Sequence, residues 1–121
     1  MRERPVFLDL RKIALPLPAL ISILHRVTGV VFFIGLLILL YAYYMLSIGH
    51  LALFQSIWFR LMLWGMISGF VYHMLAGLRH MWFDFFHIHL LSVARISSWL
   101  VLGLSVILSI WSGLLLFRNI L

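Results

Sequence analysis

Cysteine is absent from the 121 residues, which excludes disulfides, thiolate zinc sites and iron–sulfur ligation within this chain. Charge is scarce: charged side chains make up 10% of the sequence, against 65% hydrophobic ones. No glycine-rich phosphate loop is present, so nucleotide binding has no support. No internal repeat is visible either, and a transporter subunit would more naturally offer inverted repeats or broken helices around a midplane site. The formal net charge of +6 does not point to RNA or DNA, because no soluble domain with stacking aromatics accompanies the basic residues.

What is there belongs in a bilayer. Three apolar stretches lie between polar markers, with 20 residues at Val27–Leu46, 18 at Leu61–Leu78 and 22 at Ile96–Phe117, and a spanning helix needs roughly 20. The expected fold is all-α: an integral membrane protein of three transmembrane helices with an amphipathic N-terminal segment leading into the first. One domain, 1–121, then comprises a polar arm at 1–15, the Pro-flanked amphipathic segment and first helix at 16–46, a second helix at 61–78 continuing toward 86, and a third at 96–117. The first span follows a long polar arm and lacks a convincing small-residue cleavage pattern around Ser47-Ile48-Gly49, so it is expected to stay in the mature chain. The connection Ser47–Arg60 looks like an ordinary exposed turn. The connection Arg79–Arg95 carries three histidines, Asp84 and the aromatics Trp82, Phe83, Phe85 and Phe86, which suit a helix end at the headgroup level.

Orientation follows from the nine basic residues. Arg2, Arg4, Arg11, Lys12, Arg26, Arg79 and Arg95 fall on one side and only Arg60 and Arg118 on the other. Seven against two predicts a cytoplasmic N-terminus and an extracytoplasmic C-terminus.

The costliest residue to keep in such a chain is His73, an ionisable ring within an apolar run. It lies six positions before Arg79, about 9 Å deeper at 1.5 Å per residue. Stepping about 100° per residue places Gly69, His73, Gly77, His80 and Asp84 in one stripe, if the helix continues past Arg79. Small residues beside a buried histidine let a neighbouring helix or a flat cofactor approach the backbone. Two readings stand: an interhelical hydrogen bond to a hydroxyl or a backbone carbonyl, or ligation of a metal through one ring nitrogen while the other donates to a carbonyl. His80, two turns along the same helix, cannot reach the opposite face of a haem that His73 ligates.

A second cluster opens the first span. Ser22, His25, Arg26 and Gly29 share a helical face at the same boundary as Arg79 and His80, mixing hydroxyl, imidazole and guanidinium with apolar surroundings. Such donors suit quinone carbonyls or haem propionates; alternatively Arg26 is a headgroup anchor. The third span looks structural, with Ser105, Ser109 and Gly113 forming a small-residue seam.

The strings Arg4-Pro5-Val6-Phe7-Leu8-Asp9-Leu10, Ser22-Ile23-Leu24-His25-Arg26-Val27-Thr28-Gly29, and Tyr72-His73 followed by Gly77-Leu78-Arg79-His80-Met81 and Asp84 resemble the cytochrome b membrane-anchor subunit of succinate dehydrogenase, proteobacterial type. The resemblance runs over nearly the whole chain. It implies that His73 is an axial ligand of haem b iron, with the second ligand from another small anchor subunit. It implies that Ser22 and Arg26 belong to the ubiquinone site, that His25, Arg26 and His80 surround the haem propionates, and that Asp84 lies near the quinone region. It further implies a flavoprotein subunit and an iron–sulfur subunit carrying the flavin and the clusters, ubiquinone as substrate, and a place in the bacterial cytoplasmic (inner) membrane. On that reading the chain is not an enzyme alone but an electron-transfer subunit. A quinol:fumarate reductase anchor and a haem-free structural membrane anchor or transporter subunit are the alternatives. The chain departs from the family in its short first connection and its His87/His89 pair.

Overall fold

The computed structural model describes residues 16–119, so the polar arm at 1–15, with four of the basic residues counted above and the Arg4–Leu10 string, lies outside the described residues. The described chain is all-α, with α1 at Leu17–Ser47, a short α2 at Ala52–Gln55, α3 at Ile57–Phe86 and α4 at Leu91–Phe117. Three of these helices are long and apolar enough to cross a membrane, and the chain is an integral membrane protein.

The helices outrun the apolar stretches. At 31 and 30 residues, α1 and α3 are each about 45 Å long against a hydrocarbon core of about 30 Å. The excess gathers at one end, because α1 begins ten residues before Val27 and α3 ends eight residues after Leu78. Charged residues thus mark where hydrocarbon stops while the helix continues. Proline starts α1: Pro16 and Pro18 bracket its first residue, and the Pro16 carbonyl accepts from Ala19 and Leu20 N–H at 3.0 and 3.2 Å. Gly49 ends it. With φ +85, this glycine closes a Schellman turn in which Gly49 N–H donates to Leu46 O and His50 N–H to Met45 O, both at 3.0 Å. The first connection is not wholly irregular, since it contains α2, which Arg60 fastens to α3 by donating from Nε to Phe54 O at 3.2 Å.

α3 lies between α1 and α4 and packs on both, while α1 and α4 meet over a shorter stretch. The core is small: Ile21, Tyr72, Ala76 and Val101, with Leu24, Leu75 and Leu102 against them. Most other large apolar side chains point outward, as expected where lipid is the solvent and helix association rests on close packing and interhelical hydrogen bonds. Toward α4, the seam of small residues receives Trp64. Its Nε1–H donates to Ser109 O at 2.7 Å, and a Cβ on Gly113 would come within 2.9 Å of the same nitrogen. At the other end Arg79 donates to Ser97 Oγ at 2.9 Å and Ala94 O at 3.2 Å, with its guanidinium 4.6 Å from the Phe83 ring centre.

Candidate functional site

Two successive residues of α3 reach two successive turns of α1. Tyr72 Oη donates to Ile21 O at 2.8 Å, and His73 Nδ1 lies 3.0 Å from His25 O. Each acceptor is a helix carbonyl, whose second lone pair remains usable after the i→i−4 bond is made. The pairing fixes the register of α1 on α3 in the polar end of the bundle.

The contact also selects the tautomer of His73. A carbonyl only accepts, so Nδ1 donates in this contact, and in the tautomer that the contact selects Nε2 bears the lone pair. Among the described residues no hydrogen-bond partner lies at Nε2. The two readings of His73 are therefore compatible: one ring nitrogen makes the interhelical bond and the other stays available. No group of three or more His, Cys, Asp or Glu among the described residues could hold a metal. A metal bound at Nε2 would take one ligand from this chain and the remainder from elsewhere, which fits an iron porphyrin and does not fit a closed zinc site.

Around this ring the helices are cut back. A Cβ on Gly29 would lie 2.9 Å from His73 Cε1, and one on Gly77 would lie 3.2 Å from His25 Nε2. The His73 ring fills the space at Gly29, and the His25 ring fills that at Gly77. The His25 ring stacks on His73 with centres 4.1 Å apart and planes 8° apart, and lies 6.5 Å from the His80 ring, again at 8°. Three parallel imidazoles from two helices thus run from His73 toward the exposed His80.

The face formed by Ser22, His25, Arg26 and Gly29 is divided by the packing. His25 and Gly29 turn toward His73, whereas Ser22 is half-buried and Arg26 exposed. Helical geometry accounts for this, because Arg26 is offset about 100° from His25 around α1. On α3, Gly77 sits under His25 and Gly69 borders no other side chain within 4 Å among the described residues. His80 and Asp84 line a cleft of about 620 Å³ where the start of α1, the end of α3 and the start of α4 converge. His87 and His89 stand in the same wall. His87 ends α3 in the left-handed region at φ 50, and its turn is closed by Ile88 N–H donating to Phe83 O at 3.2 Å.

Sequence reasoning missed Thr28, whose Oγ1 lies 3.3 Å from His73 Nδ1, and Tyr72. The signal for Thr28 was present: it is the only threonine in the chain and follows His25 by three positions. Arg79, read as a boundary charge, also ties α3 to α4.

The chain is similar to known proteins over most of its length. The family model described as succinate dehydrogenase/fumarate reductase transmembrane subunit matches residues 1–112. A relative named succinate dehydrogenase cytochrome b556 subunit, from Coxiella burnetii (strain RSA 493 / Nine Mile phase I), is 31% identical over 118 residues, covering 92% of this chain and 94% of its own length. The chain belongs to the succinate dehydrogenase/fumarate reductase transmembrane subunit family, as a membrane anchor of the cytochrome b type.

Proposed function

We propose that this chain anchors succinate dehydrogenase in the bacterial inner membrane, gives His73 as one of two axial ligands to haem b, and forms part of the ubiquinone-reducing site. The observation that carries the reading is the hold on His73: Nδ1–H is taken up by His25 O, which leaves Nε2 without a hydrogen-bond partner among the described residues. A second small anchor subunit supplies the other ligand. Gly65 and Gly69 have no other side chain of the described residues within 4 Å of a built Cβ, lie within about 80° of His73 around α3, and suit the close approach of a neighbouring helix.

Haem bound here would take up and release one electron at a time. The protein's part is to hold and polarise. His25, His80 and Arg26 provide donors for the propionates at the end of the bundle where the charges lie. Ser22 and Arg26, one turn apart on α1, serve the quinone: the hydroxyl donates to a quinone oxygen, and the guanidinium stabilises negative charge that builds on it during reduction. Asp84, in the cleft beside His80, lies near the quinone region. An iron–sulfur subunit completes the pocket, and a flavoprotein subunit oxidises succinate. The basic residues favour a cytoplasmic N-terminus and a periplasmic C-terminus, with the soluble subunits docked on the cytoplasmic side. The relative's name favours succinate oxidation over quinol:fumarate reduction.

The test is a reduced-minus-oxidised absorption spectrum of the purified complex, with partner subunits identified by mass. His73→Ala is expected to abolish the bis-histidine signature, and an unchanged spectrum refutes the assignment. Arg26→Ala or Ser22→Ala is expected to depress quinone reduction by 10-fold or more, on the order of one lost transition-state donor, while succinate oxidation by an artificial soluble acceptor continues. Unchanged quinone reduction in both variants would remove these residues from the quinone site, whereas equal loss of both activities would point to failed assembly instead.

A further inference from the structure

Ligation by His73 leaves the hydroxyl beside it without a task. Thr28 Oγ1 is 2.8 Å from Leu24 O, 3.0 Å from His25 O and 3.3 Å from His73 Nδ1. A hydroxyl has one proton and two lone pairs. Threonine in a helix gives that proton to a carbonyl three or four residues back, and both candidate carbonyls lie in reach. A lone pair then faces His73, whose Nδ1 already carries the proton that His25 O requires.

We infer that Thr28 is a positioning residue for the axial ligand: its oxygen shares the Nδ1–H of His73 with His25 O, fixing the ring's rotation and tautomer and strengthening Nε2 as an electron donor. The inference rests on the proposed ligation by His73. Ligating histidines that donate their second N–H are oriented by the acceptor and made more basic by it, and such hydrogen bonds are one of the protein's levers on haem potential. A more basic nitrogen favours ferric over ferrous iron. Removing the Thr28 oxygen should therefore raise the midpoint potential, while His25 O keeps the ring in place. Gly29 adds to the constraint, since the edge of the ring occupies the space a Cβ would fill.

The experiment is a redox titration of the haem absorption in the assembled complex, comparing wild type with Thr28→Val, Thr28→Ser and His73→Ala. Valine keeps the shape and removes the oxygen. It is expected to retain haem content and spectral type while raising the ferrous-to-ferric ratio, at the wild-type midpoint, several-fold and up to about tenfold, or about 59 mV for one electron. Serine, which restores the oxygen, is expected to return the wild-type potential. If valine does not assemble, Thr28→Ala removes the same atom and is read in the same way. A wild-type potential in the oxygen-free variant overturns the inference, as does a serine variant shifted as far as valine, which would assign the effect to the methyl group. A His73→Ala complex that keeps the bis-histidine spectrum is a different failure: it removes the ligand itself, and the inference with it.

Discussion

The two faces of α3 solve one problem with different chemistry. Toward α4 the interhelical bonds come from Trp64 and Arg79, an indole and a guanidinium that only donate. Toward α1 they come from Tyr72 and His73, and an imidazole can donate from one nitrogen while offering a lone pair at the other. Both faces use the spare lone pairs of helix carbonyls, so both satisfy the demand that polar atoms in lipid find partners. Only the α1 face does so with a group that has a ligand atom to spare. The serines of α4 sharpen the contrast, because Ser98, Ser105 and Ser112 bond back to carbonyls of their own helix and present no donor set.

The largest effects should come from adding one methyl group to each face. Gly29→Ala would place a Cβ 2.9 Å from His73 Cε1, against a ring held at Nδ1 and covered by His25, so the ring must move as a whole. Haem retention is expected to fall 10- to 100-fold, the range typical for disturbing what orients a metal-binding histidine, measured as haem per complex. Gly113→Ala places its Cβ equally close, 2.9 Å from Trp64 Nε1. It should lower stability by about 1–3 kcal/mol, as overpacking does, and leave haem content unchanged. Haem loss in both variants would erase the distinction between the faces.

An intermediate effect is expected from Arg79→Met, which preserves much of the side chain's bulk and removes the bonds to Ser97 Oγ and Ala94 O together with the contact on Phe83. Hydrogen bonds from charged donors contribute roughly 1.5–3 kcal/mol, discounted here because the guanidinium is only partly buried. A fall of about 1–2 kcal/mol in the stability of the solubilised complex, with the haem spectrum retained, would assign Arg79 to the α3–α4 face. Spectral change of the Gly29→Ala kind would instead join it to the histidine column.

The spans were legible in the sequence because apolar length is what a bilayer selects; His73 stood out as an ionisable ring in an apolar run, and His25 as part of the face it shares with Ser22, Arg26 and Gly29. Helix ends were less so. Arg26 and Arg79 bound the apolar stretches, and neither stops a helix, which is why α1 and α3 extend about two and a half and two turns beyond them. A backbone carbonyl was an expected partner for His73, but which one could not be read: it is that of His25, and every residue has one. The helical period groups Ser22, His25, Arg26 and Gly29, but a helix wheel does not say which edge meets α3, and packing turned His25 and Gly29 inward while leaving Arg26 exposed. The tie between Arg79 and Ser97 needed the register of α4, which depends on Trp64 finding the gap at Gly113.

The smallest difference is also the most discriminating. Tyr72→Phe and Trp64→Phe each delete one interhelical donor, at 2.8 and 2.7 Å from a carbonyl that keeps its own helical partner. Interhelical hydrogen bonds in membrane proteins average about 0.6 kcal/mol, so Tyr72→Phe should move a thermal melt only slightly, and Trp64→Phe somewhat more because the indole also loses packing bulk against Gly113. Their spectra should differ in kind. Tyr72 precedes His73 and holds the α1 turn next to the one His73 uses, so its loss loosens the register that aims Nε2 and should shift or broaden the haem band; Trp64 lies nine positions before His73 on the same helix, about 13 Å away along its axis, and its loss should leave the band where it was. A band displaced by Trp64→Phe and untouched by Tyr72→Phe would mean that α4, not α1, sets the orientation of His73.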